Sequence, residues 1–118
     1  MPKNITILLS RGPYSSEYAD MALKFANRAL DKGYSVNLFL YQDGVWVQHA
    51  NQGPKRFPNV GKLLEDAVAK GLQVKACERC SQARGLDRDD LVSCGSINSL
   101  YDFVDWVAQA DKTITFSG

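Results

Sequence analysis

The sequence has no excess of charge of either sign, only one histidine and no long apolar segment, and these shortages exclude several functions. Lysine and arginine number 14 and aspartate and glutamate 13, so the formal net charge is +1. Because nucleic acids and anionic membranes attract a surplus of positive charge, we expect neither as a partner. The N-terminal apolar run, ITILL, is too short for the core of a secretory signal, and no segment approaches the roughly 20 apolar residues of a membrane span. The composition therefore predicts a cytoplasmic protein.

Cysteine is scarce and odd in number, and two of the three cysteines, Cys77 and Cys80, form a CxxC pair. Three cysteines without an export signal favour reduced thiols with a chemical role over a disulfide framework. One CxxC and one histidine, His49, are a weak zinc signal, because a zinc site usually needs a second pair of ligands. The first loop, SRGPYSSE, contains no glycine-rich phosphate-binding motif. We therefore expect no metal and no cofactor.

Apolar stretches with strand character alternate with stretches of helical spacing. A chain of 118 residues with 45% apolar content is long enough for one core and too short for two, which predicts a single domain over residues 1–118. Five stretches are strand candidates: ITILL, VNLFLY, LQVKA, LVS and TITF. The order β-α-β-α-β-β-α-β predicts an α/β protein, a three-layer α/β/α sandwich around a five-stranded, mostly parallel sheet.

Three helices and one helical turn are expected between these strands. The first helix lies within SSEYADMALKFANRALDKG, the second runs from about Asn59 to Lys70, and the third follows Ser99, whose pairing with Asp102 matches a capping box. The long stretch after the second strand, residues 42–59, is expected to be an irregular loop in which Trp46 contacts another subunit. In the first helix the apolar residues Ala22, Phe25, Ala26 and Ala29 recur at helical spacing, and the third helix is expected to bury Leu100, Phe103, Val104 and Val107.

The CxxC pair falls where an α/β sheet usually places its chemistry. Reacting groups gather beyond the carboxyl ends of parallel strands, and Cys77 follows the strand candidate LQVKA. If residues 78–84 form a helical turn, Cys77 lies at its N-terminus, where unpaired N–H groups and the helix dipole favour a thiolate. Arg79 or Arg84 would add positive charge. A thiolate attacks sulfur, so the site suits sulfane sulfur transfer or thiol exchange with Cys80. The alternative is that both cysteines are small, half-buried residues in a tight junction.

Three parts of the sequence together point to a known family. They are the opening ITILLSRGPYSSEYADMALKFANRALDKGYSVNLFLYQDGV, the closing SINSLYDFVDWVAQADKTITF, and Cys77 followed by Arg84 and Gly85. With these features the chain resembles the DsrE/DsrF-like family over residues 5–116. The resemblance implies a five-stranded parallel sheet between helices, hexameric assembly, and a cysteine that carries persulfide sulfur between donors and a small acceptor protein. By position, Cys77 matches that sulfur-carrying cysteine.

Two functions from different classes remain open. The first is a sulfur-relay protein in which Cys77 takes sulfur from a donor persulfide, Arg84 steadies the anionic persulfide and Cys80 resolves it. Its partners would be sulfur donor and acceptor proteins, together with copies of itself, as a hexamer or trimer, or sister subunits. The second is a non-catalytic oligomeric scaffold that binds a partner or small ligand at the strand-end cleft. A thioredoxin-like reductase fits less well, since its CxxC opens a long helix. His49 is interpreted as a solvated or packing residue, with a general base near Cys77 as the alternative, and Cys94 as a small buried residue, with a third redox participant as the alternative.

Overall fold

The structure is a computed structural model and describes residues 3–117. Within those residues, strands and α-helices alternate along the chain, and two short 3-10 helices follow β2 and α3. The strands are β1 (Asn4–Leu9), β2 (Ser35–Leu40), β3 (Gln73–Ala76) and β4 (Lys112–Phe116). The α-helices are α1 (Tyr18–Asp31), α2 (Val60–Ala69), α3 (Glu78–Ala83) and α4 (Leu100–Gln109), and the 3-10 helices are Gln42–Gln48 and Arg88–Asp90.

The strands form one parallel sheet in the order β3-β2-β1-β4, with β3 and β4 at the edges. Successive side chains of a strand point to opposite faces, so each central strand supplies two cores. Ile7 and Leu38 belong to the core under α1 and α2, whereas Leu8 and Phe39 belong to the core under α4. The sheet therefore lies between two helical layers, which confirms the predicted α/β/α sandwich.

The fourth predicted strand, LVS, does not form, so the sheet of the described residues has four strands and not five. Leu91 makes only an isolated antiparallel bridge with His49. The next amide, that of Val92, donates to the carbonyl of Gln48 at 2.8 Å, outside the sheet. The apolar run is three residues long and is followed by Ser-Cys-Gly-Ser, which is rich in turn-forming residues, so no strand can extend from it.

The face of the sheet under α1 and α2 holds the larger core. Leu23 of α1 and Leu64 of α2 are buried against it, and burial of a leucine side chain contributes about 1.5–3 kcal/mol. α2 begins close to the predicted residue. Asn59 is its N-cap, and the Asn59 side chain accepts a hydrogen bond from the amide of Lys62 in the first turn. In α1 the three alanines of the predicted helical spacing are buried, whereas Phe25 of the same set is not. Phe25 is 39% exposed, because it lies beside the buried stripe and packs against the ring of Phe116.

The start of α4 is only partly as predicted. Ser99 caps the helix by accepting a hydrogen bond from the amide of Tyr101 at 3.1 Å. The carboxylate of Asp102, the expected second member of a capping box, lies 4.0 Å from Nζ of Lys75. Asp102 therefore links α4 to β3 through a partly exposed ion pair, which is worth little in isolation.

α4 covers its face of the sheet with few of its apolar side chains. Trp106 is buried beside Phe39, and the ring centroid of Phe103 lies 5.1 Å from that of Phe39. These aromatic rings fill the space above the sheet. Three other apolar residues of α4 that were predicted to be buried are therefore exposed in the single chain. The exposed residues, here called the α4 stripe, are Leu100 (44% exposed), Val104 (57%) and Val107 (39%).

The stretch after β2, expected to be an irregular loop, contains the 3-10 helix Gln42–Gln48, which is built into the core. The side chains of Val45 and Gln48 are fully buried. Gly44 permits this close packing, since a side chain at that position would collide with the backbone carbonyl of Leu9. The start of the 3-10 helix is thereby held at the carboxyl ends of β1 and β2, beside the cysteine pair.

Candidate functional site

The cysteine pair lies at the carboxyl end of β3, where the sequence predicted it. β3 ends at Ala76, and α3 (Glu78–Ala83) begins directly after Cys77, which confirms the predicted helical turn. The amide of Cys77 donates to the carbonyl of Leu40 at 2.9 Å, and Cys77 forms a single parallel bridge with Asn98. The backbone at Cys77 is therefore fixed on both sides, at the edge of the sheet where α/β proteins place reacting groups.

Cys77 is the recessed member of the pair. It is 4% exposed and packs with Phe39 and Trp106 under α4. Although Cys77 is the N-cap residue of α3, its side chain makes no capping hydrogen bond within residues 3–117. The N–H contact expected for this sulfur is thus not formed. A cysteine buried in apolar surroundings is also a poor target for an external reagent.

Cys80 is the accessible member of the pair. It is half-buried, and its Sγ accepts a hydrogen bond from the backbone amide of Gln42 at 3.2 Å. Gln42 has a φ of 50°, in the left-handed region. For a non-glycine residue that conformation costs on the order of 1–3 kcal/mol, and such strain collects at functional sites. The strained residue is the one whose N–H points at the sulfur of Cys80.

Arg84 is fixed next to Cys80 by two hydrogen bonds. Its Nε donates to Oδ1 of Asp43 at 2.9 Å, and its Nη1 donates to the carbonyl of Cys80 at 3.0 Å. The side chain of Arg84 is 26% exposed, so its positive charge is only partly screened by solvent. The sequence predicted that Arg84 would stabilise a persulfide on Cys77. In the structure Arg84 is hydrogen-bonded to the backbone of Cys80 and to the carboxylate of Asp43.

The ionisation of Cys80 is influenced by its surroundings, which include the Cys77 thiol. Burial and a hydrogen bond with the Cys77 thiol raise the pKa of Cys80 above its ordinary value, while the Gln42 amide and the charge of Arg84 act in the opposite direction. The net direction is upward, so Cys80 is protonated at neutral pH. The Gln42 amide and Arg84 are nevertheless positioned to favour negative charge on this sulfur whenever it forms during a reaction.

The cysteine pair opens into a cleft of about 570 Å³ between α3 and α4. One wall is apolar and consists of Tyr101 together with Leu100 and Val104 of the α4 stripe, and Arg79 lies on the side of α3. Tyr101 is 82% exposed. The cleft is open and large enough to admit a segment of another protein that carries a thiol.

The remaining candidates lie elsewhere. The ring of His49 packs 5.6 Å from that of Trp46, and both line a neighbouring cavity of about 440 Å³ together with residues of the first loop. Cys94 lies near α2, where burial and the charge of Glu65 raise the pKa of its thiol. Within residues 3–117, histidine, cysteine and carboxylate side chains form no cluster of three or more that could hold a metal ion.

Two parts of the site were missed by sequence reasoning. The amide of Gln42 carries no sequence signal, because nearly every residue has an N–H; only the position of Gln42 at the end of β2 could have indicated it. Tyr101 also went unnoticed, although it follows Leu100 in the first turn of a helix near the same sheet edge. Asp43, in the 3-10 helix after β2, accepts the hydrogen bond that holds Arg84.

The protein is an α/β/α sandwich with a parallel sheet and a cysteine pair at the carboxyl end of an edge strand. Comparison with known proteins shows its family. The chain belongs to the DsrE/DsrF-like family, whose model matches residues 3–116. It is 41% identical over 112 residues to MK0008 of Methanopyrus kandleri, covering 95% of this chain and 93% of that protein. It is 27% identical over 122 residues to DsrE of Allochromatium vinosum, whose provisional name is sulfurtransferase, covering 92% of this chain and 94% of that protein.

A solved structure supports the same assignment. The crystal structure of YchN from Escherichia coli matches with a TM-score of 0.92 and 30% sequence identity, covering 98% of this chain and all of that one. The structure of MTH1491 from Methanobacterium thermoautotrophicum, at a TM-score of 0.75 and 14% identity, shares the fold. Within residues 3–117, every helix is too short or too polar to cross a membrane.

Proposed function

We propose that the protein is a sulfur-relay protein of the cytoplasm that accepts persulfide sulfur at the Cys77-Cys80 pair and donates it to a partner. The observation that carries the proposal is the sulfur of Cys80, which lies in an open cleft with the Gln42 amide at 3.2 Å and Arg84 fixed beside it. Membership of the DsrE/DsrF-like family and the provisional name of one relative agree with this reading. The cytoplasm keeps thiols reduced, as the reaction requires.

The chemistry needs no external oxidant. A thiolate of the pair attacks the outer sulfur of a donor persulfide, a new S–S bond forms, the donor's S–S bond breaks, and the donor leaves as a thiolate. Transfer to an acceptor reverses these roles, since the acceptor thiolate takes the outer sulfur and the cysteine of this chain leaves as a thiolate. In each step one S–S bond is formed and one is broken. The Gln42 amide and Arg84 would stabilise the negative charge left on Cys80.

Partner proteins and further subunits belong to the same proposal. The donor and the acceptor are sulfur-carrying proteins, and the chain assembles with copies of itself, as a hexamer or trimer, or with sister subunits. The α4 stripe supports assembly, because contiguous exposed apolar side chains mark interaction surfaces. Trp46 remains a predicted subunit contact; in the single chain it is half-buried against His49.

The experiment is intact-protein mass spectrometry after incubation with a persulfide donor. Wild-type protein should gain about 32 Da, the mass of one sulfur atom, and lose it again on treatment with a thiol. The double variant Cys77→Ala/Cys80→Ser should gain nothing. Cys94→Ser is the matched control, because it removes a half-buried cysteine outside the cleft, and it should load like wild type. Equal loading of the double variant would refute the proposal.

A non-catalytic scaffold is the second candidate, and the apolar wall of the cleft favours it. Leu100, Tyr101 and Val104 could hold a partner without any reaction at the cysteines. In a pull-down with a purified donor or acceptor, the scaffold predicts that Cys77→Ala/Cys80→Ser retains the partner while wild-type protein loads no sulfur.

A further inference from the structure

We infer that the two cysteines have different roles: Cys80 is the atom that takes up sulfur, and Cys77 is its recessed resolving thiol, which can discharge the sulfur as hydrosulfide. This inference rests on the proposed function and makes it more specific. It also departs from the sequence-based expectation, in which Cys77 carried the sulfur and Cys80 resolved it.

Access to an external donor distinguishes the two sulfurs. The donor's outer sulfur must come into contact with the attacking atom, and Cys77 is 4% exposed beneath Trp106 and Phe39. Both cysteines line the cleft between α3 and α4, but Cys80 is half-buried and is therefore the more exposed of the two. A donor can therefore reach Cys80 without opening the core under α4.

Stabilisation of charge also distinguishes them. Each transfer leaves negative charge on the cysteine sulfur, and the groups that stabilise such charge meet at Cys80: the Gln42 amide at 3.2 Å and Arg84, bonded to the carbonyl of the same residue at 3.0 Å. Arg84 is itself oriented by Asp43. Cys77, as N-cap of α3, receives no capping hydrogen bond from residues 3–117.

The position of Cys77 suits the second step. Cys77 is the N-cap of α3 and Cys80 follows three residues later in its first turn, so the two lie on the same side, and both line the same cleft. When Cys80 carries a persulfide, the thiolate of Cys77 attacks the inner sulfur, which is Sγ of Cys80. The Cys77–Cys80 disulfide forms, the bond to the outer sulfur breaks, and that sulfur leaves as hydrosulfide.

The balance of this step is complete. The Cys77 thiolate is oxidised as it enters the disulfide, the sulfur of Cys80 keeps its oxidation state, and the outer sulfur is reduced and leaves as hydrosulfide with the proton of the persulfide. Return to the starting state requires a dithiol reductant, which takes over the disulfide by thiol exchange. The chain would thus either pass its sulfur to an acceptor thiol or, without one, release it and stop in the disulfide form.

The sequence offers a direct assay, because Arg79 separates the two cysteines. Trypsin cuts after Lys75, Arg79 and Arg84, so Cys77 and Cys80 lie in different peptides, ACER and CSQAR. Wild-type protein is incubated with a persulfide donor, trapped at intervals with iodoacetamide, digested and analysed by mass spectrometry, and sulfide is measured in parallel. The same series is run on Cys77→Ala and Cys80→Ser, with Cys94→Ser as the control.

Early in the wild-type reaction, CSQAR should carry the additional mass of about 32 Da. Later, the two peptides should appear joined and about 2 Da lighter than their sum, with sulfide released in equal amount. Cys77→Ala should keep its sulfur and release at least about tenfold less sulfide. Cys80→Ser should not load, and Cys94→Ser should behave like wild type.

The contrary results are separable. Additional mass on ACER before CSQAR in wild-type protein, or wild-type loading by Cys80→Ser, would overturn the assignment of roles and leave the proposed function standing. Absence of added mass on both wild-type peptides would overturn the proposed function as well. The wild-type peptides decide the assignment alone, so the test does not depend on the folding of any variant.

Discussion

Removal of the charge of Arg84 should slow the reaction of Cys80 with an uncharged alkylating agent. In Arg84→Gln the guanidinium that lowers the pKa of Cys80 is lost, and the pKa should rise further. A partly exposed charge pair is worth about 0.5–1 kcal/mol, which corresponds to about a twofold to fivefold smaller thiolate fraction at neutral pH. The rate of alkylation should fall by about the same factor, and the difference should shrink at alkaline pH, where the thiol ionises in both proteins.

The assay is the rate of iodoacetamide labelling of the peptide that contains Cys80, measured across a pH series in a Cys77→Ala background so that only one thiol of the pair reacts. Arg79→Gln is the matched control, since Arg79 lines the same cleft but does not contribute to the pKa of Cys80. Its labelling rate should match that of the parent protein. Both variants should unfold at nearly the parent urea concentration, because Asp43, the ion-pair partner of Arg84, is 64% exposed. Equal slowing in the two arginine variants, or none in Arg84→Gln, would refute the reasoning.

Three further results are expected. Val104→Asp should shift the protein toward a 13.1 kDa monomer in sedimentation analysis, because it places a charge in the α4 stripe; a wild-type monomer would contradict this. Gly44→Ala should lower the free energy of unfolding by about 1–3 kcal/mol or more in urea titrations, through collision with the carbonyl of Leu9, and an unchanged midpoint would contradict it. Burial raises the pKa of the Cys94 thiol in the folded protein, so as the pH rises the unfolded chain loses the thiol proton before the folded protein does. The free energy of unfolding of the wild type should therefore fall above about pH 8.5. Cys94→Ala should lose less stability over the same pH range, and identical pH profiles of the two proteins would count against this expectation.

The parts of the fold that could be predicted are those in which a local pattern and the tertiary structure agree. The strand ITILL, the alanine stripe of α1, the start of α2 near Asn59 and the turn after Cys77 all carry their signal within a few residues. The strand LVS failed because three apolar residues carry too little information against the turn-forming residues that follow. α4 shows the opposite problem: its helical period was read correctly, but periodicity cannot show that Trp106 and Phe103 alone fill the space over the sheet.

The site was predictable in position and not in detail. A cysteine that follows a strand of a parallel sheet must lie at the carboxyl edge, so the location of Cys77 followed from topology. Which cysteine is accessible depends on aromatic rings contributed by β2 and α4, far away in the sequence. The N–H group that donates to Sγ of Cys80 belongs to the backbone of Gln42. Its direction follows from the left-handed φ of Gln42, a conformation that cannot be predicted from a glutamine in the sequence.

β4 lies at an edge of the sheet and pairs with β1 on one side. The backbone groups of an open edge are a template for adding strands from other copies, and such growth has no natural end. β4 is five residues long and begins at Lys112, and shortness and charge are two features by which natural edges resist that growth. In the proposed assembly, contacts between copies would therefore use side chains such as those of the α4 stripe, and assembly through defined side-chain surfaces can close into a ring of fixed size where strand addition would yield a fibre.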